Sequence, residues 1–530
     1  SVLRHPQGHP GDASTLPQRA AALDPHSPDI RNNLGNVLRL CGRFPEAETA
    51  YRKALELAPD HAEAWVNLGV VLREQGNLGE AHDAQRRALD LDPNSMEALN
   101  NMGNVFRDQG RLDEATACFL GAVGVRPDFA EAYANLGNVL VDQGKQAEAD
   151  AAFAKVAELR PGSALAAYAS GNAAVARKDY ETAEEGYRQA IALKPDYVEA
   201  YNNLANTLRI QGRLTEAVTL YNQAIAIRPL NPNLYFNLAV AYAERNRTAD
   251  VIATSRKAID LRPDYGEAYR NLGFYFYRIR DFERAGGVFR EWLEAEPNHP
   301  VALHMTAACG GGNAPERAAE DYVRITFDRF ADTFDDRLGS LNYRGPELVT
   351  EALHVAVGEP AGNLDIFDAG CGTGLCGPLL KPFARTLTGL DLSPRMLERA
   401  RERGTYDTLV EEDLVAYGAA HGEAFDAVVA ADTFIYFGDL RAALGVSALM
   451  LRPGGWMTFT LEDTAGENPK SGYALAPHGR YMHTEAYVRG ILEETGCTVV
   501  ALDNAFIRSE GGQPVRGHVV TARKGKGDAA

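Results

Sequence analysis

Residues 62–95 read AEAWVNLGVVLREQGNLGEAHDAQRRALDLDPNS, and this unit of 34 residues returns in register along more than half of a chain of 530. Its apolar residues fall at helical spacing in two blocks, about Ala62 to Glu74 and Leu78 to Leu91, with the breaker pair Gly76-Asn77 between them. Pro93 stops the second block, because it lacks an N–H and restricts the residue before it. The same proline stands at Pro59, Pro127, Pro161, Pro195, Pro229, Pro263 and Pro297, and Pro25 extends the series upstream. Small residues keep the phase too: Ala47, Ala81, Ala115, Ala149, Ala183, Ala217, Val251 and Ala285 in one row, and Gly35, Gly69, Gly103, Gly137, Gly171, Ala205, Ala239 and Gly273 in another. Small residues where helices cross let backbones approach closely. One such pair cannot bury its apolar face alone, so pairs must stack into a solenoid. Eight full units are expected over 28–299, after a partial unit over 1–27.

This pattern resembles the tetratricopeptide repeats, whose helix pairs wind into an all-α right-handed superhelix with the first helices lining a concave groove. One position escapes packing logic. Asn33, Asn67, Asn101, Asn135, Asn203, Asn237 and Asn271 share a phase, and Asn36, Asn104, Asn138, Asn172 and Asn206 follow three residues later on the same helical face. The ladder looks like that of the O-linked N-acetylglucosamine transferase repeats, which implies a grip on the backbone of a bound polypeptide. An amide offers both donor and acceptor, so it pairs with peptide groups whatever their side chains. Capping or hydrogen bonding between repeats is the competing role for these amides. Ala169 interrupts the ladder in the fifth unit.

Bulk properties narrow the rest. No run of 18 apolar residues occurs and no charged-then-apolar leader opens the chain, so neither a membrane span nor a secretory signal is expected. Six scattered cysteines, without framework or paired ligand spacing, fit a reducing compartment and a cytoplasmic location, and no metal site is expected. A net charge of -18 argues against nucleic acid as the main partner.

The repeat decays after Pro297, and the breaker cluster Cys309-Gly310-Gly311-Gly312-Asn313-Ala314-Pro315 marks a join. A capping helix and linker are expected over 300–324, and a second domain over 325–525 with a disordered tail at 526–530. The second domain opens on a strand, Leu364 to Asp368, followed by Ala369-Gly370-Cys371-Gly372-Thr373-Gly374 and a helix from Leu375. A glycine-rich turn between strand and helix lets a ligand approach the backbone. Leu375 stands where a dinucleotide fingerprint needs its last glycine. A second strand ends in Asp391, 23 residues after Asp368, placed to accept hydrogen bonds from ribose hydroxyls. Asp413, the buried strand Phe425 to Ala431, and the turn Leu451-Arg452-Pro453-Gly454-Gly455 before the strand Trp456 to Leu461 complete the order.

That order resembles the class I S-adenosylmethionine-dependent methyltransferases, a Rossmann-like α/β fold. The resemblance implies S-adenosylmethionine as cofactor and S-adenosylhomocysteine as product. It implies that Gly370, Gly372 and Gly374 admit the methionine part, with Asp368 ordering the loop and Cys371 flanking it. Asp391 with Leu392 would hold the ribose, and Asp413 with Leu414 the adenine. Cys371 and Cys376 otherwise read as small packing residues. Methyl transfer is an in-line displacement that needs alignment and, for a protonated acceptor, a base. Asp432 and Tyr436, after the fourth strand, and His483, just before a helix, are the candidates; Glu462, Arg508 and Glu510 rank behind them. His483 also reads as structural and Thr484 as a helix cap. The stretch Phe327 to Asp335 resembles the lid helix of small-molecule members of the superfamily. The whole resembles bacterial predicted methyltransferases that carry tetratricopeptide repeats.

The leading expectation is that the superhelix recruits a polypeptide or protein-bound acceptor for methylation. Small-molecule methylation with the repeats as scaffold or self-association surface is the alternative. A non-catalytic S-adenosylmethionine-binding adaptor is the third reading.

Overall fold

A computed structural model describes residues 26–310, 314–510 and 513–526. The partial unit expected over 1–27 and the tail expected over 526–530 fall outside these residues but for 26, 27 and 526. Among the described residues no helix is long and apolar enough to cross a membrane. Two compact units divide at Ala268/Tyr269.

Among the described residues sixteen helices run in eight pairs, from α1 (Pro28–Leu40) and α2 (Phe44–Leu57) to α15 (Gly266–Arg278) and α16 (Phe282–Ala295). The first helices start at 28, 62, 96 and so on to 266, so the sequence period is the structural period. Ala47, Ala81, Ala115, Ala149, Ala183, Ala217, Val251 and Ala285 are all fully buried. The glycine row explains itself sterically. A methyl group built on Gly137 would lie 2.5 Å from Phe153 Cε1, and one on Gly35 only 2.4 Å from Tyr51 Cε1. Each glycine is the socket for the large side chain of the following helix, and the deeply buried Tyr51, Phe119, Tyr187 and Phe289 fill those sockets.

The division at Ala268/Tyr269 groups most of the eighth pair and α17 (Pro300–Ala308) with the second unit. There, α18 (Glu320–Phe330), α19 (Phe334–Ser340) and α20 (Gly345–Val357) precede the sheet. The strands are β1 (Leu364–Ala369), β2 (Ala384–Asp391), β3 (Thr408–Glu411), β4 (Phe425–Ala430), β5 (Leu451–Asp463), β6 (Tyr473–Leu475), β7 (Tyr481–His483), β8 (Cys497–Glu510) and β9 (Gln513–Lys524). Helices α21 (Gly377–Leu380), α22 (Pro394–Arg403), α23 (Leu414–Ala420), α24 (Arg441–Met450) and α25 (Glu485–Glu494) connect them. The order is β3-β2-β1-β4-β5-β7-β6, with β9 antiparallel to β5 and β8 beyond it. β1 pairs in parallel with both β2 and β4, so the strand order reverses at β1 and leaves a crevice at its carboxyl end. Ile366, Phe367, Val428, Val429 and Phe459 are fully buried, as expected of strands covered on both faces.

Two local expectations shift. The helix expected at Leu375 begins at Gly377, because residues 370–376 are spent on the loop. The Pro-Gly-Gly turn lies inside β5, which starts at Leu451; Gly454 takes φ +80, and the register with β4 shifts between Phe425 and Ala427.

Gly137→Ala is expected to destabilise the repeat unit by about 1–3 kcal/mol, the usual range for overpacking a filled site, and denaturant unfolding of the full chain reads it directly.

Candidate functional site

The crevice at the end of β1 opens into a cavity of about 260 Å³. Asp391, the last residue of β2, organises its rim: one carboxylate oxygen accepts the Gly372 N–H at 2.9 Å and the other the Ser393 N–H at 2.9 Å. Burial outweighs these bonds and pushes the Asp391 carboxyl up to about 6. The glycines divide the work. Gly370 has φ +67, and a methyl group there would lie 2.4 Å from Thr433 Oγ1. Gly370, Cys371 and Gly372 line the cavity; Gly374 instead lets α22 approach, with Ala400 Cα 3.2 Å from where a Cβ would stand.

Asp368 does not line the cavity. It is fully buried behind the loop, and one of its oxygens accepts the Tyr406 hydroxyl at 2.6 Å. Its other oxygen has no hydrogen-bond partner among the described residues. Burial raises its carboxyl to about 7 against that hydroxyl, with help from the Asp391 charge. Asp413, Leu414 and Leu392 line the cavity. Asp413 caps α23 by accepting the Val415 and Ala416 N–H groups, and it pairs with Arg317 at 3.0 Å.

Arg317 gave no signal in the sequence. It lies in the segment expected as linker, yet Arg317, Ala318, Glu320 and Val323 line the cavity. The Ala318 N–H donates to the Tyr436 carbonyl at 2.8 Å, and the Tyr481 hydroxyl donates to the Pro315 carbonyl at 2.7 Å. The α/β domain therefore starts before 325. The stretch resembling a lid forms the end of α18 and the start of α19, and Phe327 and Phe334 face the cavity. Its acids face one way, as residues spaced by three and four on a helical path do. Asp328 accepts from Ser393 Oγ at 2.5 Å, Asp332 binds Arg395 at 2.5 Å and Arg399 at 2.6 Å, and Asp335 takes Thr373 Oγ1 at 2.5 Å as well as Arg403.

The three sequence candidates for catalysis separate. Asp432 and Tyr436 line the cavity. Asp432 holds a left-handed φ of +55, rare for a residue with a Cβ. Its N–H donates to Thr460 Oγ1 at 2.8 Å, the Thr460 hydroxyl donates back at 2.8 Å, and Arg508 donates to its other oxygen. Burial pushes the Asp432 carboxyl up, and the Tyr436 phenol up to about 12. His483 is corrected: it is fully buried away from the cavity, with Nε2 2.9 Å from the Phe437 carbonyl and 3.1 Å from that of Gly438. Burial lowers it to about 4 despite those carbonyls, so it is neutral and structural. Thr484 caps α25 by accepting the Tyr487 N–H. Arg480, Arg508 and Glu510 reach the cavity from strands β7 to β8 and their approaches.

In the first unit, the asparagine ladder is partly spent on the array. Asn67 donates to Asn32 at 3.0 Å, Asn135 to Asn100 at 2.9 Å, Asn203 to Tyr168 Oη at 3.0 Å, and Asn237 to Asn202 at 2.8 Å, each reaching back one repeat. The second row accepts from tyrosines of the paired helix: Tyr51 to Asn36, Tyr187 to Asn172 and Tyr221 to Asn206. Asn33 is exposed and Asn101 half-buried, while the Asn271 amide nitrogen, in the second unit, is buried with no partner among the described residues. Beside the ladder, Arg73, Arg107, Tyr168, Asn202, Asn203, Asn233 and Arg262 line a polar cavity of about 500 Å³.

Family profiles described as tetratricopeptide repeat or TPR repeat match residues 27–94, 103–144, 130–163, 171–208, 205–246 and 236–300. A methyltransferase domain profile matches 367–459. A ubiquinone biosynthesis O-methyltransferase of Thiobacillus denitrificans is 32% identical over 138 residues, which is 25% of this chain and 56% of the relative. Nodulation protein S of Rhizobium tropici is 32% identical over 187 residues, 33% of this chain and 74% of the relative. A malonyl-[acyl-carrier protein] O-methyltransferase of Erwinia pyrifoliae is 27% identical over 156 residues, 29% of this chain and 57% of the relative. The chain thus spans little more than half the length of the first and third.

Asp368 carries a stability signature. Its folded carboxyl, at about 7, lies above the ordinary value of 3.8, so between those values the unfolded chain ionises and the folded one does not. Stability contributed by the protonated form is complete below pH 3.8 and is lost as pH rises toward 7. Without added ligand, Asp368→Asn is expected to leave the melting temperature unchanged near pH 4 and to raise it by a few degrees at pH 8, measured by calorimetry.

Proposed function

Since the chain joins a tetratricopeptide-repeat array to a domain of the class I methyltransferase family, we propose that it is an S-adenosylmethionine-dependent methyltransferase whose repeats recruit a polypeptide acceptor. The observation that carries the activity is the Asp391 clamp. Both oxygens are already oriented by backbone N–H groups, and the carboxylate faces the cavity with lone pairs left for two ribose hydroxyls. The residues present suit the cofactor. Gly370 and Gly372 leave the loop backbone bare of Cβ atoms, and Leu392 and Leu414 give an apolar slot beside Asp413 for adenine. The cofactor supplies an activated methyl group when bound. The chain binds it, excludes water beneath Phe327 and Phe334, and aligns the acceptor against Asp432 and Tyr436.

Recruitment of a polypeptide rests on the first unit. Its polar cavity presents Asn202, Asn203 and Asn233 among arginines and acids, a lining that suits peptide groups better than apolar ligands. Asn67, Asn135 and Asn237 bond between repeats through one N–H and keep a second N–H and their carbonyl for a guest, so at these positions the two roles are compatible, whereas Asn203 spends its amide on Tyr168, Asn172 and Asn202. One observation favours a small-molecule acceptor with the repeats as scaffold: α18 and α19 cover the cavity and are held by Asp328, Asp332 and Asp335.

Labelled S-adenosylmethionine added to cell lysate with the full chain is expected to label a discrete protein band. Asp391→Ala is expected to abolish that label and to weaken cofactor binding roughly 10- to 100-fold, as loss of about 1.5–3 kcal/mol from a hydrogen bond to a charged group requires. Label confined to small molecules would transfer the conclusion to the scaffold reading. The triple variant Asn67→Ala, Asn101→Ala, Asn135→Ala is expected to lower protein labelling while calorimetry finds cofactor affinity unchanged; undiminished labelling would remove the groove from the account.

A further inference from the structure

At the end of the cavity beyond Tyr436, five charged side chains form one network. Arg480 donates to Glu462 at 2.6 Å and to Glu510 at 2.6 Å. Arg508 donates to Glu510 at 2.8 Å and also to Asp432 and Glu462. Arg508 and Glu462 are almost wholly buried, with 4% and 2% of their surfaces exposed. Although burial pushes the Glu462 and Glu510 carboxyls up, Arg480 and Arg508 hold both below the ordinary range, so both are ionised. With Asp432 ionised the network holds three carboxylates and two guanidiniums, a net charge of -1 from the residues named. His478 Nε2 lies 3.1 Å from Glu462. The network leaves no cation over for an anionic acceptor. Both arginines are already consumed by carboxylates, and a further carboxylate or phosphate would be placed beside Asp432 and Glu510 in a site of low dielectric.

Asp432, Arg480, Arg508 and Glu510 all reach the cavity lining, and Glu510 keeps an oxygen that no described residue bonds. The end of the cavity therefore offers carboxylate acceptors and an aromatic wall at Tyr436 and Phe327. That lining suits an ammonium group, which supplies charge, hydrogen-bond donors and attraction to ring faces. A carboxylate can also take a proton from an ammonium far more easily than from an alcohol.

Building on the methyltransferase reading above, we propose that the acceptor is an amine, held by Glu510 and Asp432; in a polypeptide this is a lysine side chain or an α-amino group. The ammonium gives one proton to a carboxylate of the network, which passes it to solvent. The freed nitrogen lone pair then forms the N–C bond while the methyl–sulfur bond breaks and its electron pair stays on sulfur. The products are a methylammonium and a neutral thioether. Glu462 touches neither reactant; it is a positioning residue that fixes both guanidiniums.

The test takes the full chain, labelled S-adenosylmethionine and cell lysate, and examines the chemistry of the label. Label that survives alkali and is recovered after acid hydrolysis as an N-methylated amine is expected. Volatile methanol released by alkali would mean a carboxyl acceptor, and recovery as an O-methyl ether or S-methyl group would mean another nucleophile; either overturns the inference and leaves methyltransferase activity standing. No label from any fraction would sink the activity and the inference together. Glu510→Gln is expected to raise the acceptor concentration needed for half-maximal labelling about tenfold, in line with the loss of a charged hydrogen bond, with cofactor affinity unchanged and recovery in Glu510→Asp. A Glu510→Gln variant as good as the parent would remove Glu510 from the amine site.

Discussion

The bond from the Gly372 N–H to Asp391 is the interaction on which the methyltransferase domain depends. It ties the loop after β1 to the end of the neighbouring strand β2, at the carboxyl end of β1 where the sheet order reverses. Together with the bond from the Cys371 N–H to the Leu390 carbonyl at 2.9 Å, it selects one conformation for a glycine-rich loop, which glycine's large loss of conformational freedom on folding otherwise disfavours. The tie has an electrostatic cost. Asp391 and Asp368 both have carboxyls raised by burial, and Asp391 contributes to the rise at Asp368. A cavity built around such groups favours a ligand that brings hydrogen-bond donors, since donors to the charged form offset the desolvation.

Helices α18 and α19 are coupled to the same loop. Thr373, one residue beyond Gly372, donates to Asp335, and Ser393, whose N–H binds Asp391, donates through its hydroxyl to Asp328. The rim of the cavity and the helices over it therefore share partners, so ordering one orders the other. Arginines of α22 complete the clamp on Asp332 and Asp335. These outer pairs are solvent-exposed and individually weak, whereas the Arg508 network at the opposite end is enclosed. Enclosed ion pairs add little net stability once desolvation is counted, and their worth is in fixing geometry. Here they hold Asp432 in a left-handed conformation that a β-carbon disfavours.

In the repeat array one residue type bonds both within helix pairs and between them. The tyrosine-to-asparagine bonds within pairs and the asparagine-to-asparagine bonds between pairs make hydrogen-bonded seams along the first helices, one joining the first two pairs and another running from the third pair to the seventh. A seam of amides is stiff without being sated, because each amide has two donors and two lone pairs. An apolar residue in those positions would pack as well and offer a polar guest nothing.

Period, helix pairing and the succession of strands, glycine loop and acids were legible in the chain because each is a local consequence of residue spacing. A proline every 34 residues, a glycine opposite an aromatic, or an acid at a strand end acts through its immediate neighbours. Asp391, Asp413, Leu392, Gly370 and Gly372 could be placed for that reason, and all line the cavity. The cases that only tertiary structure decided are those in which distant segments meet. Arg317 reaches Asp413, 96 positions away, from a segment with no motif of its own, and Arg508 reaches Asp432 across 76. His483, adjacent to polar and aromatic residues in sequence, turns inward because β7 pairs with β5 and buries it, and its ring bonds carbonyls instead of facing the cavity. Spacing along a chain determines which residues share a face of one element. Which faces then converge is set by sheet register and by the packing of segments that spacing does not connect.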